Sequence, residues 1–328
     1  MTLNFELDKL KSKLLARAPK KVLVQLPEGV KQNAFEVKKV IEDLDIEVIF
    51  SGETVWGGCA LAVREAREVG ADLIVHFGHA EFIEVDFPVL YMEIKDELDL
   101  DPILKKSLEQ IKDFKKLGVS YAVQHRQDIE DVIKFYESNG KEVVLSEKKG
   151  YAAYPGHVVG CEFGGLKSIQ DSVEAFLVIG NNFHSMGAAL AVEKPIFLLD
   201  VYNNCVTEMK GVRDKIIRQR ILSIEKVREA KKIGIISEIK PGQKFGVAKF
   251  LKEKLEKTGK RVILIAMDEM TPDKLMNFYD VDAFVELGCP RIAIDDFAKY
   301  SKPLITYKEA LVVAGDMKIE ELMEKGFV

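Results

Sequence analysis

The sequence lacks a long hydrophobic run, an excess of basic charge and a dense set of cysteines. No stretch of about 18 uncharged apolar residues occurs, and the amino-terminal segment mixes apolar side chains with charges. We therefore expect neither a transmembrane helix nor a signal peptide, and we predict a cytoplasmic protein without a membrane partner. The net charge of −5 offers no electrostatic surface for wrapping nucleic acid, so direct nucleic-acid binding is not expected.

Only four cysteines occur, at positions 59, 161, 205 and 289, and none belongs to a short motif. The closely spaced cysteines that mark zinc fingers and bacterial ferredoxins are absent, which argues against both kinds of site. In a reducing compartment, cysteines this far apart are more often buried thiols, metal ligands or catalytic groups than disulfide partners. Their role therefore depends on where the fold places them.

Length and composition indicate a globular protein of more than one domain. The chain has 328 residues, 47% of them hydrophobic and 31% charged, and it exceeds the size at which single cores stop growing. Apolar strand patterns alternate with helical patterns along the whole chain, and one order of four strands occurs three times. The pattern predicts an α/β fold of three similar domains, each a four-stranded, mainly parallel sheet flanked by helices.

The three predicted domains span residues 1–110, 111–215 and 216–328. Their strands are continuous apolar runs typical of buried parallel strands, such as KVLVQL, AFLVIG and DAFVELG. Long helices at about 99–117 and 213–232 are predicted to connect the domains. A shorter helix is predicted from about Cys59 to Val69.

Three of the four cysteines occupy comparable places in the predicted repeat. Cys59, Cys161 and Cys289 each follow a strand, in a turn flanked by glycine or proline, and open α/β sheets bind ligands beyond the carboxyl ends of their strands. A lone cysteine is more often core filling than a ligand, but one per domain in such turns favours a shared role. With pseudo-threefold symmetry around a central site, the three thiolates would meet there and bind an iron-sulfur cluster or zinc, leaving one metal position open. Cys205 lies outside this pattern and is predicted to be a bystander.

Six motifs give the chain a resemblance to a known family. They are LPEGVK (26–31), GETVWGGCALA (52–62), GADLIVHFGHA (70–80), VVGCEFG (158–164), NNFHSMGAALA (181–191) and LGCPRIAIDD (287–296). In order and type, these motifs resemble the archaeal diphthamide synthase subunit family over nearly the whole chain.

The resemblance implies a cofactor, a reaction and partners. Members of that family form homodimers and hold a 4Fe-4S cluster through one cysteine from each of three α/β domains, by motif Cys59, Cys161 and Cys289 here. The open iron binds S-adenosylmethionine, and an electron from a donor that the sequence does not identify cleaves the bond between its sulfur and the γ-carbon of the methionine moiety. The resulting 3-amino-3-carboxypropyl radical or organometallic species modifies C2 of a histidine imidazole on translation elongation factor 2. This is the first step of diphthamide biosynthesis, and it implies a noncanonical radical S-adenosylmethionine transferase.

Two histidines are candidates for catalysis. His79 and His184 follow strands of the first and second predicted domains and are expected to face the central cavity. Because an unperturbed imidazole has a pKa of about 6.5, either could accept the proton lost from the target imidazole or orient it. His76, at the end of its strand, is predicted to be a hydrogen-bonded structural residue instead.

Four residues are candidates for contacts with S-adenosylmethionine. Glu28, in the turn after the first strand, could hold the amino or ribose groups, and the planar fork of Arg291 suits the carboxylate. Gly57 and Gly58 precede the first cysteine and allow a bulky ligand to approach the backbone closely.

Two alternatives stay open at the level of sequence. Quinolinate synthase also combines three α/β repeats with one cluster cysteine per domain, but it acts on small metabolites and needs neither a reductant nor S-adenosylmethionine. The other alternative is a noncatalytic subunit whose cluster or zinc relays electrons or shapes a docking surface. Cluster-dependent cleavage of S-adenosylmethionine would distinguish the transferase from both.

Overall fold

Strands and helices alternate along the chain as the apolar pattern predicts. The computed structural model describes residues 3–328, so the first two residues of the predicted first domain lie outside the described part. Three mainly parallel sheets are flanked by helices, which confirms the predicted α/β class. The domain boundaries and the pseudo-threefold symmetry stay predictions.

The first sheet and its helices lie between residues 3 and 96. The elements are β1 (Leu3–Asn4), α1 (Leu7–Arg17), β2 (Lys21–Gln25), α2 (Ala34–Glu42), β3 (Glu47–Phe50), α3 (Val63–Glu68), β4 (Leu73–Phe77), β5 (Val89–Met92) and β6 (Lys95–Asp96). Strands β2 to β5 form the parallel sheet, and β1 pairs with β6 in a separate antiparallel ribbon. All of β4 is buried because helices cover this central strand.

The second sheet lies between residues 101 and 208. Its elements are α4 (Asp101–Gln110), β7 (Lys116–Tyr121), α5 (Ile129–Ser138), β8 (Glu142–Val144), α6 (Gly164–Ile169), β9 (Ala175–Gly180), α7 (Asn182–Ala191), β10 (Ile196–Asp200) and β11 (Cys205–Glu208). Strands β7 to β10 are parallel, and β11 adds an antiparallel edge.

The third sheet lies between residues 210 and 325. Its elements are α8 (Lys210–Glu229), β12 (Lys232–Glu238), α9 (Ala248–Lys257), β13 (Arg261–Met267), α10 (Pro272–Met276), β14 (Ala283–Glu286), α11 (Pro290–Asp295), β15 (Leu304–Thr306), α12 (Tyr307–Ala314) and α13 (Ile319–Lys325). All four strands are parallel.

The three sheets share one strand order, which supports the predicted repeat. In each sheet the second strand along the chain lies at an edge, followed by the first, the third and the fourth. Parallel strands need crossover connections, and the helices supply them. The loops after these strands therefore open at the carboxyl edge of each sheet.

Three local predictions were wrong. The second sheet has five strands rather than four, because the short turn before Cys205 reverses the chain into an antiparallel hairpin with β10. The helix predicted at 99–117 ends at Gln110, and Leu117 is a buried strand residue of β7. The helix predicted from Cys59 begins only at Val63, so the cysteine lies in a turn.

Among residues 3–328, no helix combines the length and the apolar character that crossing a bilayer requires.

Candidate metal centre

The turn that carries Cys59 is held by the first central strand. The carboxamide of Gln25, at the end of β2, donates to the Ala60 carbonyl at 2.9 Å and accepts from the Ala62 amide at 3.0 Å. A second turn bond joins the Ala60 amide to the Gly57 carbonyl at 3.0 Å. These bonds fix the backbone on both sides of the thiol, which is partly accessible.

The other two cysteine turns also follow strands, Cys161 after the second strand of its unit, as Cys59 does, and Cys289 after the third strand, β14. Cys161 lies in the long loop after β8, where Val159 and Glu162 form an isolated antiparallel bridge around it. Cys289 directly precedes α11, and Pro290 occupies the first helical position, where its missing amide proton costs nothing. Both cysteine residues are partly exposed, as Cys59 is, although burial dominates the environment of their thiols.

Contacts between the sheets bring the three turns together. The Gly242 amide, in the loop after β12, donates to the Cys59 carbonyl at 2.9 Å and joins the third unit to the first. Arg291 joins the third unit to the second, because its guanidinium donates to the Gly160 carbonyl at 2.9 Å. The first and second units meet where the Phe82 and Tyr151 rings stack, with centroids 4.3 Å apart.

The pKa values of the three cysteine thiols indicate that the thiols lie near one another. Burial raises the pKa of Cys161 to about 12, with the Cys59 charge adding to the rise. Burial also raises the pKa of Cys289 well above its ordinary value, and the charges of Cys161 and Cys59 both contribute. The pKa of Cys59 is raised mainly by burial. All three are therefore thiols at neutral pH in the protein alone, and binding a metal would release their protons.

The chemistry of the three cysteines suits an iron-sulfur cluster. Within residues 3–328, no three His, Cys, Asp or Glu side chains lie close enough together to hold one metal ion. In an iron-sulfur cluster each thiolate binds its own iron, so the sulfurs stand farther apart than the ligands of one zinc ion. Three cysteines on three turns would supply the soft thiolate donors that such a cluster needs.

The first histidine candidate lies in a buried hydrogen-bonded chain. His76, fully buried, contacts Gln25 Oε1 through Nδ1 at 3.2 Å and His79 Nδ1 through Nε2 at 3.0 Å. Burial lowers the pKa of His79 to about 4, so its imidazole is neutral at physiological pH. His76 is thus the hydrogen-bonded structural residue that the sequence predicts, and His79 is its outer, partly accessible neighbour.

The second histidine candidate lies at the start of α7. His184 Nδ1 is 2.9 Å from Oδ1 of Asn181, the residue that caps this helix. Burial and then the Arg291 charge lower its pKa to about 3, and the charges of His157 and His79 contribute further. The protonation of one of three histidines therefore affects the pKa of another, which indicates that the three lie near one another: His79, His157 and His184. His157 was not among the sequence candidates, and its own pKa falls to about 4, mainly through burial.

Glu28 lies in the loop layer above the first sheet. Its carboxylate bonds to Lys31 Nζ at 2.8 Å and to the Val55 amide at 3.2 Å. Burial acts to raise its pKa, but these bonds outweigh it and leave the pKa below the ordinary value. Glu28 therefore supports the loop that leads to Cys59, and its predicted contact with S-adenosylmethionine stays a prediction.

The two glycines before Cys59 have different surroundings. A side chain at Gly58 would lie 2.8 Å from Phe82 Cβ and 3.1 Å from the Ala80 carbonyl oxygen, closer than packing allows. A side chain at Gly57 would make an ordinary contact, 3.6 Å from the Cys59 sulfur. Gly58 thus lets the cysteine turn pack on the segment after β4, and ligand contact by either glycine stays a prediction.

Arg291 has its partners inside the protein. It pairs with Asp295 at 2.8 Å, donates to the Phe183 carbonyl at 2.6 Å, and stacks on the Phe183 ring at 3.9 Å. The planar fork of Arg291 is therefore already paired with a carboxylate of its own chain, that of Asp295. These contacts favour a role in joining α11 to the Gly160 turn, and contact with a substrate carboxylate stays a prediction.

Two residues beside Cys59 were missed by the sequence analysis. Gln243 is buried, its Nε2 lies 3.7 Å from the Cys59 sulfur, and its Oε1 meets no donor within residues 3–328. Gly242 precedes it and touches the Cys59 backbone. The segment KPGQ (240–243) follows the first strand of the third unit as LPEG (26–29) follows that of the first. Comparing these Pro- and Gly-containing turns would have found both residues.

Replacing Gly242 by alanine is expected to reduce the iron bound on anaerobic reconstitution roughly tenfold, as overpacking strain of about 1–3 kcal/mol implies. A Cβ at this position would lie 2.7 Å from both Cα and Cβ of Cys59 and would push the cysteine turn away. Iron and sulfide content measure the effect. Gly52→Ala is the matched control, because its new Cβ would meet no atom within 4 Å. Equal iron content in both variants would contradict the prediction.

Fold and site together define a three-unit α/β protein with cysteines converging from all three units. A family model described as "Putative diphthamide synthesis protein" matches residues 26–323. The chain belongs to this family.

Curated relatives agree with this assignment. The 2-(3-amino-3-carboxypropyl)histidine synthase of Pyrococcus horikoshii is 33% identical over 300 residues, covering 90% of this chain and 86% of the relative. The enzyme of the same name from Methanocaldococcus jannaschii is 29% identical, with coverage of 94% and 89%. Subunit 1 of the synthase from Schizosaccharomyces pombe is 29% identical over 94% of this chain and 72% of its own.

Solved structures give the same result. Dph2 from Pyrococcus horikoshii superposes with a TM-score of 0.88 at 31% identity, covering 96% of this chain and 92% of that protein. A structure of the same protein with a 4Fe-4S cluster gives a TM-score of 0.89 at 30% identity, with coverage of 98% and 94%. The similarity thus extends to a relative whose structure contains an iron-sulfur cluster.

Proposed function

We propose that this protein transfers the 3-amino-3-carboxypropyl group of S-adenosylmethionine to C2 of a histidine imidazole on translation elongation factor 2. The reaction would be the first step of diphthamide biosynthesis. The observation that carries the proposal is the convergence of Cys59, Cys161 and Cys289 from three sheets, with mutual effects on the pKa of their thiols. The relatives named as synthases support the same reaction.

The three cysteines would hold a 4Fe-4S cluster. When bound, a reduced cluster of this kind supplies the electron that cleaves the bond between the sulfur and the γ-carbon of S-adenosylmethionine. The protein contributes rigid turns: Gln25 and Gly242 fix the Cys59 backbone, and Arg291 fixes the Gly160 turn before Cys161. Because orientation decides which bond breaks, the rigidity of these turns would matter for the product as well as for binding.

The neutral histidines would handle the proton of the target imidazole. His79 and His184 have pKa values of about 4 and about 3, lowered mainly by burial, so both are unprotonated at physiological pH. A neutral imidazole can accept a proton, although these low pKa values make each a weak base. The hydrogen bonds to His76 and Asn181 orient the two rings.

The proposal includes the partners that the reaction requires. Elongation factor 2 is the protein substrate, an electron donor supplies the reductant, and two copies of the chain form a homodimer in the cytoplasm. The chain covers 86% and 89% of the length of its two archaeal relatives, which are named as synthases.

Anaerobic reconstitution followed by mass spectrometry tests the proposal. The reconstituted protein is mixed with S-adenosylmethionine, dithionite and elongation factor 2, and both the factor and the small products are analysed. We expect one aminocarboxypropyl group on a histidine of the factor and release of methylthioadenosine, both dependent on dithionite. An intact cluster with no cleavage of S-adenosylmethionine would favour the quinolinate-synthase-like or electron-relay alternative.

A further inference from the structure

Strand β13 is an unusually long and unprotected sheet edge. It has seven residues, whereas the equivalent edge strands of the other two units, β3 and β8, have four and three. Within residues 3–328, β13 pairs with β12 on one side and with no strand on the other. Natural proteins keep edge strands short, charged or covered, because an open edge recruits another strand.

The side chains of β13 are also unlike those of an ordinary edge. Ile263 and Leu264 are 46% and 51% exposed, although they point to opposite faces of the sheet. On helix α9, which packs against β13, Phe250 is exposed as well. In β3 and β8 only the first glutamate is fully exposed. The third unit thus has an apolar edge that the other two lack.

We propose that β13 pairs with β13 of a second copy of this chain, in antiparallel orientation about a twofold axis at Leu264. The backbone supports this register. At the ends of β13, the Arg261 amide donates to the Lys231 carbonyl at 2.8 Å and the Met267 carbonyl accepts from the Ile239 amide at 3.0 Å, both beside β12. The backbone amides and carbonyls of the alternate residues therefore point away from β12, towards the open edge. Those residues are Val262, Leu264 and Ala266. Pairing about Leu264 places each of them opposite another member of the same set, in hydrogen-bonded pairs.

Side chains and charges fit the same arrangement. Ile263 lies opposite Ile265 of the partner subunit, so the cross-strand pair is apolar, and no like charges face each other. The strand begins with exposed Arg261, and exposed Asp268 follows its end. Antiparallel pairing places Arg261 diagonal to Asp268 of the partner subunit at both ends of the ribbon, and Asp268 also pairs with Arg64 of its own chain at 3.3 Å. A surface that is complementary to itself in this way favours a second copy over an unrelated partner.

This inference deepens the homodimer of the proposed function, and it rests on that part of the proposal alone. The test compares full-length wild type with Leu264→Lys and Leu222→Lys by sedimentation velocity. Leu222, on α8, is 63% exposed and serves as the matched control. We expect a dimer for wild type and Leu222→Lys, and a monomer with unchanged circular dichroism for Leu264→Lys. A dimeric Leu264→Lys variant would overturn the interface, and a monomeric wild type would overturn the dimer itself.

A cysteine cross-link tests the register without disturbing the dimer. In a Cys205→Ser background, Leu264→Cys would place two thiols at a hydrogen-bonded antiparallel pair, whose Cα atoms are about 5.5 Å apart and within disulfide reach. We expect a covalent dimer after mild oxidation for Leu264→Cys and none for Leu222→Cys. The absence of a cross-link would overturn the register.

If Leu264→Lys stays dimeric but no longer binds elongation factor 2, the open edge of β13 is a binding site for the factor and the second-copy proposal is wrong. Transfer of the aminocarboxypropyl group is assayed separately, so its failure and the failure of the interface are distinguishable.

Discussion

Alanine at Cys59, Cys161 or Cys289 is expected to remove the iron-sulfur cluster and to lower the rate of aminocarboxypropyl transfer at least about 100-fold. This loss exceeds the usual effect of removing a residue that only hydrogen-bonds to a metal ligand. Each cysteine comes from a different sheet, and no replacement cysteine follows it in its turn. Alanine leaves one iron without a soft ligand. Iron, sulfide and visible absorbance after anaerobic reconstitution measure the loss, and mass spectrometry of elongation factor 2 measures the activity.

Cys205→Ala is the control for these variants. Cys205 begins the edge strand β11 and is exposed, and its sulfur makes only weak contacts, at 3.9 Å to the Val206 carbonyl and 3.5 Å to the Thr207 hydroxyl. We expect this variant to keep its iron and its activity. Loss of iron in Cys205→Ala, or full iron in any of the other three variants, would disprove the assignment of ligands.

The repeated fold was predictable because parallel strands are buried on both faces. Runs such as AFLVIG are apolar throughout, and the structure buries every residue of β9. The antiparallel strand β11 was not predicted, since its sequence CVTE is short and half exposed. The helix predicted at 99–117 extended too far because a short apolar run fits a helix and a strand equally well. Periodicity predicts which segments are buried more securely than it predicts where they end.

The position of the cysteines at the carboxyl edges of the sheets was predictable from the strand pattern, whereas the residues that support their turns were not. Cysteines after strands lie at the carboxyl edge, and the sequence shows both features. The contacts of Gly242 with Cys59 and of Arg291 with Gly160 join residues 183 and 131 positions apart. No local pattern encodes such contacts between units. The sequence therefore predicts the ligands, and the structure adds the residues that hold their turns in place.

Replacing Arg220 by methionine is expected to lower the free energy of unfolding by about 3–5 kcal/mol, because it leaves the buried carboxylate of Glu309 without a positive partner. Arg220 is completely buried on α8 and binds Glu309 through two bonds, of 2.7 and 2.6 Å. It also donates to the carbonyls of Ala293 at 2.6 Å and Leu304 at 2.9 Å. Urea unfolding followed by circular dichroism measures the loss of stability. The third sheet should unfold first.

The control is Arg218→Met, an exposed position on the same helix, which should change stability by no more than about 0.5 kcal/mol. Similar stability of the two variants would contradict the prediction.

The double variant Arg220→Met with Glu309→Leu separates charge burial from packing. Removing both charges should recover part of the lost stability, since two well-packed apolar side chains leave no charge uncompensated. Recovery should be incomplete, because Glu309 also accepts from the Thr306 amide at 2.8 Å in the capping box of α12.

The side chain of Arg220 also bonds to the Ala293 carbonyl in α11, the helix that begins after Cys289. The single variant should therefore also weaken iron binding, and the double variant should leave that defect in place, because neither replacement restores the bond to Ala293.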